Sequence, residues 1–489
     1  MGIVLRQSFI NTLILFVGFT IGGINVIFLF THFLHEDYFG LITFLLSTAN
    51  IILPLLVFGM QHTVIKFYSS YKTKVEQDSF LISTIFLPLL VIIPLGIISV
   101  YFYDAIASWL SSENILIKDY TGLIFITAIF MGYFEVFYSW TKVQFNSVFG
   151  NFIKEIFARI CTSLLLVAVY FKWLTNEEFI YAVVIVYGLR VLIMKLYAFY
   201  ICRPAMVLKL PSNIKEILSF SLYIIVAGSA AGVLLEIDKF MIPQMKQIAE
   251  VAYYSVGIYI ASVVAIPTRA MQHITSPITA KYMNENKVDD VEKLYKQTSI
   301  NLLVIGGLLF LLINLNVNDL YEFINKPQFA KGSWIVLIIS VAKLLELALG
   351  TANAILVNSK YYKIFFYLSL AMAFSVILLN KWLINLIGIN GAALATLIVV
   401  AFYSIFKIIY IKGKLNIQPF SIQTIKLLIS VLIIFISFNF WSFSFHPILN
   451  ILLKSSIIGF VYFVIVKKLH ISKEINLLVA EYFQSKFKK

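Results

Sequence analysis

Long apolar runs alternate with short polar segments along almost the whole chain. Each run is about 20 residues long, which at about 1.5 Å per residue allows one helix to cross a hydrocarbon core about 30 Å thick. The pattern predicts fourteen transmembrane helices, at approximately 8–31, 38–61, 80–103, 122–140, 157–171, 178–200, 217–240, 253–274, 298–316, 333–357, 361–380, 388–411, 424–442 and 448–466.

The composition indicates that the protein lies in a bilayer. Of the 489 residues, 61% are hydrophobic and 13% are charged, whereas about 25% of the residues of soluble domains are charged. The segments between the predicted helices are short, and none has the composition of a folded domain. Membrane glycosyltransferases and polymerases that act on lipid-linked sugars usually need a sizeable external domain. The sequence therefore disfavours that class, and we predict an all-α polytopic membrane protein that is not an enzyme and has no cofactor or metal.

The basic residues are distributed unevenly between the two sides of the predicted bundle. Of the 38 Lys and Arg residues, 27 lie in loops or near helix ends on the side of the two termini and 7 lie likewise on the other side. The remaining 4 lie within predicted helices and are assigned to neither side, namely Arg190, Arg269, Lys343 and Lys454. Because positive loops stay in the cytoplasm, we expect both termini to be cytoplasmic. The net charge of +14 is then a sign of topology, and it does not indicate a nucleic-acid partner.

A weak internal repeat predicts two equivalent halves. The second predicted helix ends in Met60-Gln61-His62 and the eighth ends in Met271-Gln272-His273. Two copies of a six-helix unit would place this tripeptide at matching positions in the same orientation. Chance recurrence in a biased sequence is the alternative. The predicted organisation is an N-lobe at 1–202, a cytoplasmic linker at 203–216, a C-lobe at 217–414, and two further helices with a basic tail at 415–489.

Three cations inside predicted helices are the main candidates for substrate binding, namely Arg190, Lys343 and Arg269. A charge at the centre of a membrane helix costs about 2.5–3.5 kcal/mol, so it should face a cavity or a partner. Such a set would suit an anionic, phosphate-bearing substrate, because guanidinium groups bind phosphate through a bidentate fork. Lys343 could instead form a local ion pair with Glu346, and Arg269 could extend to the membrane surface.

Acidic residues in or near the predicted helices are candidates for ion coupling or for structural pairs. Glu135 could bind a proton or an ion, or pair with Arg159 at the start of the fifth helix. Asp238 could act in the same way, or anchor its helix at the interface. Glu346 has the same two alternatives because Lys343 lies three residues before it.

Several segments resemble the polysaccharide transporter family, which contains O-antigen flippases of the MATE-like exporter (MOP) superfamily. No single motif is diagnostic, and their order and spacing carry the resemblance. The segments are Asp37-Tyr38-Phe39-Gly40-Leu41, Glu236-Ile237-Asp238-Lys239-Phe240-Met241-Ile242, Val256-Gly257-Ile258-Tyr259, Ile266-Pro267, Ser276-Pro277 and Ile387-Gly388-Ile389-Asn390-Gly391-Ala392-Ala393-Leu394-Ala395-Thr396.

The resemblance implies a MATE-like fold with two six-helix lobes around a central cavity, plus two C-terminal helices. It also implies a flippase of undecaprenyl-pyrophosphate-linked oligosaccharide in the bacterial inner membrane, with membrane lipids, a polymerase and a chain-length regulator as further partners. Lipid II flippases carry an Arg-Asp pair in the first helix, where this chain has Gly22-Gly23-Ile24-Asn25. That departure disfavours a peptidoglycan precursor as cargo. The alternative function is a cation-coupled exporter of small molecules in the same superfamily.

Overall fold

The computed structural model describes residues 2–206, 210–441 and 443–472, and within these ranges the protein is helical without β-strands. The α-helices are α1 Gly2–Ile24, α2 Phe30–Phe33, α3 Glu36–Leu56, α4 Met60–Phe67, α5 Lys74–Phe86, α6 Leu89–Tyr101, α7 Tyr103–Leu110, α8 Thr121–Val143, α9 Val148–Phe152, α10 Ala158–Tyr170, α11 Asn176–Ile201, α12 Ile214–Met241, α13 Ala249–Ser262, α14 Ile266–Asn284, α15 Val288–Asn314, α16 Val317–Ile324, α17 Ser333–Ala348, α18 Ala352–Val357, α19 Tyr362–Ile387, α20 Ile389–Leu415, α21 Ile422–Asn439 and α22 Pro447–Lys468.

The helices confirm the predicted polytopic membrane fold. In the described part of the chain, 11 helical segments are long and apolar enough to cross a membrane. The number rises to 12 if a bent segment in the region of α12 is counted as one span. The other two predicted spans are helical but irregular. Span 157–171 is α10, which continues α9 through a π-helical segment at Ile153–Phe157, and span 333–357 is divided into α17 and α18.

The chain forms two compact units, Met1–Ser255 and Val256–Lys489. The border between them falls within α13, about forty residues after the predicted linker, so α12 belongs to the first unit. The two six-helix lobes of the repeat hypothesis remain a prediction. Residues 207–209 of the linker and 473–489 of the basic tail lie outside the described residues.

In the first unit, helices α3, α8, α11 and α12 pack side by side. Aromatic side chains fill the space between them and α5, and Phe80, Phe134 and Trp140 are almost fully buried. Trp140 donates a hydrogen bond to Thr84 across this core, with 3.1 Å between Nε1 and Oγ1. A buried indole N–H needs such a partner, so the contact fixes α8 against α5.

In the second unit, α15 and α17 pack against each other, α17 packs against α20, and α20 packs against α19. The last two helices, α21 and α22, contact α15. Apolar side chains such as Phe402 and Ile409 remain exposed along these helices, as expected where a helix contacts lipid rather than water.

Candidate functional site

A cluster of charged side chains lies inside the first unit around the π-helical segment Ile153–Phe157. Lys154 on this segment forms an ion pair with Glu135 of α8, with 2.6 Å between Nζ and Oε1. Arg159, in the first turn of α10, pairs with Glu155, with 3.2 Å between Nη2 and Oε2. Because a π-helical turn inserts one extra residue per turn, it changes the direction in which the following side chains point.

Helix α1 packs closely against this cluster. Its own π-helical segment begins at Asn25, whose side-chain amide donates to the carbonyl oxygen of Arg159 at 2.9 Å. Ser163 donates to the same amide group of Asn25, with 2.6 Å between Oγ and Oδ1. A methyl group added at Gly18 would lie 2.8 Å from Nη1 of Arg159, so only glycine fits there without a shift. Two π-helical segments, which are frequent at functional sites, thus meet at Arg159.

Arg190 of α11 is buried, with 8% of its surface exposed. Its guanidinium carbon lies 3.9 Å from the ring centroid of Phe134 and 5.5 Å from that of Tyr187. The guanidinium has no carboxylate within ion-pair distance among the described residues, although the charges of Glu135 and Glu155 act on it. Stacking on aromatic faces is thus the main direct contact of this buried cation.

The second unit contains a cavity of about 280 Å³ between α14 and the segment that joins α17 to α18. Its wall is mostly apolar, with several polar side chains and no charged one among the described residues. The polar residues that line it are Gln272, Thr275, Ser276, Thr351, Asn353 and Asn358.

The cavity lies where the tenth predicted span is interrupted. Gly350 has a φ of +48°, a left-handed conformation that favours glycine, and it separates α17 from α18. A methyl group there would also lie 3.0 Å from the backbone nitrogen of Ser299 on α15. The hydroxyl of Ser299 donates to the carbonyl of Ala348 at 2.8 Å, which satisfies one of the backbone groups released by the break. Broken helices at membrane depth are tolerated where they line a cavity.

One cation lies behind the wall of this cavity. Lys407 of α20 is 8% exposed, and its ammonium group donates to Oδ1 of Asn353 at 3.2 Å. It also lies 5.7 Å from the ring centroid of Phe365. Lys343 and Glu346 of α17 form an ion pair at 2.9 Å, and the charge of Glu346 also acts on Lys407. The arrangement can hold a polar ligand next to a buried positive charge.

The sequence pattern of the family described as polysaccharide biosynthesis proteins matches residues 4–268, which is more than half of the chain. The chain belongs to this family. The predicted relationship to polysaccharide transporters is thereby confirmed. No curated protein has a sequence that matches the chain.

Solved structures share the fold of this family member. The lipid II flippase MurJ in an inward closed conformation is 13% identical, with a TM-score of 0.72 over 94% of this chain and 98% of the other. An inward-facing multidrug resistance MATE transporter of the MOP superfamily is 13% identical, with a TM-score of 0.60 over 82% and 94%. The MATE multidrug transporter DinF-BH in complex with R6G is 14% identical, with a TM-score of 0.57 over 86% and 97%.

The structure of this polysaccharide biosynthesis protein brings only some of the predicted site residues together. Arg190, Glu135 and Arg159 lie in the first-unit cluster. The suggested pairing of Glu135 with Arg159 is wrong, because the helix around the π segment presents Lys154 to Glu135 and Glu155 to Arg159.

The other predicted residues are distributed over both units. Lys343 and Glu346 form the local ion pair that was one of their two alternatives. Asp238 is buried in the first unit and accepts a hydrogen bond from the hydroxyl of Tyr254. Arg269 lies on α14 three positions before Gln272, and its side chain lies outside the described residues.

Sequence reasoning missed the burial of Lys407 and left Lys454 without a named partner. Lys407 was counted among the cations of the cytoplasmic side because it lies near the end of its predicted helix, 388–411, and the extension of α20 to Leu415 places it further inside the helix. Lys454 of α22 had no assigned partner, and it pairs with Asp319 of α16 at 2.8 Å, while Asn450 donates to the same carboxylate at 3.1 Å. The apolar residues on both sides of each lysine were the sequence signal that could have indicated its burial.

Proposed function

We propose that the protein is a flippase that moves an undecaprenyl-pyrophosphate-linked oligosaccharide, such as an O-antigen, capsule or exopolysaccharide repeat unit, across the bacterial inner membrane by alternating access. The observation that carries this proposal is the combination of a polysaccharide biosynthesis family with a transporter fold over 94% of the chain. A protein of that family with this fold has the means to move a precursor rather than to synthesise it.

The buried and half-buried cations support an anionic cargo. Lys343, Arg190 and Arg269 are the proposed ligands for the pyrophosphate. A phosphate group bound near the bilayer centre needs such cations, because unpaired charge is costly there. Arg190 is buried against Phe134, so its use by the cargo requires α11 or α8 to move, as alternating access provides.

The cargo is proposed to differ from that of the solved flippase. MurJ is a lipid II flippase, and this chain has Gly22, Gly23, Ile24 and Asn25 where lipid II flippases carry a pair of charged residues in the first helix. We propose both termini on the cytoplasmic face, from the distribution of Lys and Arg, and a polysaccharide polymerase and chain-length regulator as partners.

The proposal is tested by measuring the lipid-linked oligosaccharide on the outer face of the inner membrane with an impermeant sugar-directed probe. Cells without the protein should accumulate the precursor on the cytoplasmic face and show little label, and expression of the protein should restore the label. Equal labelling of both strains would reject the proposal.

Export of small molecules coupled to a cation is the second candidate, and the MATE transporters with the same fold favour it. It assigns ion binding to Glu135, Asp238 or Glu346. Each of these carboxylates already has a cation or a hydroxyl as partner. The test is drug resistance in cells that carry Glu135→Gln; unchanged efflux would count against this function.

A further inference from the structure

The cavity of the second unit contains a buried polar group without a hydrogen-bond partner. The hydroxyl of Thr351 is buried and makes no hydrogen bond, and the residue is 4% exposed. Gln272 and Ser276 line the same cavity with exposed side chains, and the Asn353 amide binds Lys407 through its oxygen. A buried polar group without a partner is costly and calls for an explanation, and one explanation is a ligand.

The unpaired hydroxyl of Thr351 does not result from a poorly formed helix end. The backbone at the break is supported by Ser299, whose hydroxyl satisfies the carbonyl of Ala348, and by Gly350, which permits the left-handed turn. Thr351 caps α18 without a side-chain hydrogen bond to the helix. Its hydroxyl is therefore left available at the wall of a space of about 280 Å³.

The chemistry of the wall distinguishes between a sugar and a phosphate. Hydroxyl and amide side chains offer both donors and acceptors, and a sugar hydroxyl can pair with either. An ionised phosphate offers acceptors only and could not donate to the amide oxygen of Gln272, as a sugar hydroxyl can. The volume is close to the lower end of the range for small-molecule sites, about 300 Å³, so the space suits one sugar ring.

Lys407 determines which part of Asn353 faces the cavity. Its ammonium group binds Oδ1 of Asn353 at 3.2 Å, so the amide group presents its NH2 donor to the ligand. The lysine is 8% exposed and does not line the cavity itself. It is thus a positioning residue.

We propose that this cavity, between α14 and the break at Gly350, binds one sugar ring of the cargo through Thr351, Asn353, Gln272 and Ser276. The inference rests on the proposed flippase function and adds the place where the oligosaccharide, as distinct from its pyrophosphate, is recognised.

The test compares two lipids on the full-length protein in nanodiscs. One is undecaprenyl-pyrophosphate-linked oligosaccharide from the strain that makes the polysaccharide, and the other is undecaprenyl pyrophosphate without sugar. Thr351→Val should weaken binding of the first about fivefold, as expected for one neutral hydrogen bond, and leave binding of the second unchanged. Thr279→Val is the matched control, because its hydroxyl is buried on α14 and already bonds to the carbonyl of Thr275 at 2.8 Å.

Folding of the variant is checked separately. Since the Thr351 hydroxyl makes no hydrogen bond in the described structure, Thr351→Val should melt at the same temperature as the unmodified protein or higher. Equal weakening of both lipids would place the pyrophosphate at this cavity, and no weakening of either would show that it binds no cargo; both results overturn the inference.

Two further results separate this inference from the function on which it rests. If the unmodified protein binds and flips the sugar-bearing lipid but Thr351→Val keeps its full affinity, the sugar site is wrong and the flippase stands. If the unmodified protein binds neither lipid and Thr351→Val instead weakens binding of tetraphenylphosphonium, a lipophilic cation, the flippase and the sugar site both fail.

Discussion

Two interior clusters, one in each unit, hold their polar groups in different ways. In the first unit, carboxylates and cations form ion pairs around a π-helical segment, as in Glu135 with Lys154 and Glu155 with Arg159. In the second, a neutral wall surrounds a cavity, and the nearby cation Lys407 has an amide partner instead of a carboxylate.

The difference suggests a division of roles. Ion pairs between half-buried groups depend on each partner, because removal of one leaves the other partly desolvated and without a compensating charge. Unpaired hydroxyl and amide groups are available for a ligand and contribute little to folding. Substitutions in the first cluster should therefore lower the stability of the protein, and substitutions in the second should weaken ligand binding.

The largest effect on stability is expected for Glu135→Ala. The change leaves Lys154 without its carboxylate and removes a charge that acts on Arg190. The free energy of unfolding should fall by about 2–3 kcal/mol, which lies between the cost of breaking an exposed pair and that of breaking a fully buried one, because the Glu135 side chain is 18% exposed and the Lys154 side chain is 39% exposed. The loss is measured by thermal or denaturant unfolding in detergent. Glu346→Ala in the second unit is the control, since its side chain is 40% exposed and should cost at most about 1 kcal/mol. Equal losses in the two variants would remove the distinction between the two clusters.

A smaller effect is expected for Arg190→Lys. The change keeps the charge but removes the planar group that stacks on Phe134 at 3.9 Å. A desolvated contact of this kind contributes about 2 kcal/mol, so unfolding should become easier by about that amount. The control is Lys154→Arg, which replaces an ammonium group with a guanidinium group and should leave stability nearly unchanged. A similar loss at both positions would show that size, and not stacking, decides the result.

A still smaller effect on stability is expected for Lys343→Met. Its ion pair with Glu346 is partly exposed and contributes about 1 kcal/mol or less. Export of polysaccharide should nevertheless fall about tenfold if Lys343 binds the pyrophosphate. A hydrogen bond to a charged group contributes about 1.5–3 kcal/mol, which corresponds to a factor of ten or more in binding. Cell-surface polysaccharide is the readout, with the exposed Lys363→Met as control. Full export would remove Lys343 from the proposed site.

The smallest effect on stability is expected for Lys407→Met. Because the described structure places no carboxylate within ion-pair distance of this buried lysine, an apolar side chain of similar length should be neutral or slightly stabilising. Affinity for the lipid-linked oligosaccharide should fall, because Asn353 is then free to turn its oxygen toward the cavity. Unfolding and binding are measured on the same preparation. A large loss of stability with unchanged affinity would show that Lys407 has a structural role only.

The fold was predictable to a large extent, because the signal for a membrane helix is local. Each apolar run is long enough to cross the bilayer, and all fourteen predicted spans coincide with helices. The irregular segments of the helices could not be predicted from the sequence. The π-helical segment at Ile153–Phe157 and the break at Gly350 depend on contacts with other helices, such as those of Asn25 and Ser299.

The candidate site was predictable only in part. The cost of a charge in a membrane singles out Arg190 and Lys343, but it does not name their neighbours. Glu135 was matched with Arg159, while the structure gives it Lys154. Lys407 was counted among the cations of the cytoplasmic side, since hydropathy does not show that a lysine near a helix end is buried.

The sequence by itself determined the class of protein, the approximate positions of its membrane helices, the presence of cations inside them and the family resemblance. All of these follow from composition and from order along the chain. Only the tertiary structure decided which of the charges form pairs. It also decided that the tenth predicted span is divided into α17 and α18 at a cavity, and that the hydroxyl of Thr351 has no hydrogen-bond partner there. These facts depend on the rotation and depth of helices that are distant in sequence, and small changes in either bring a different side chain into contact.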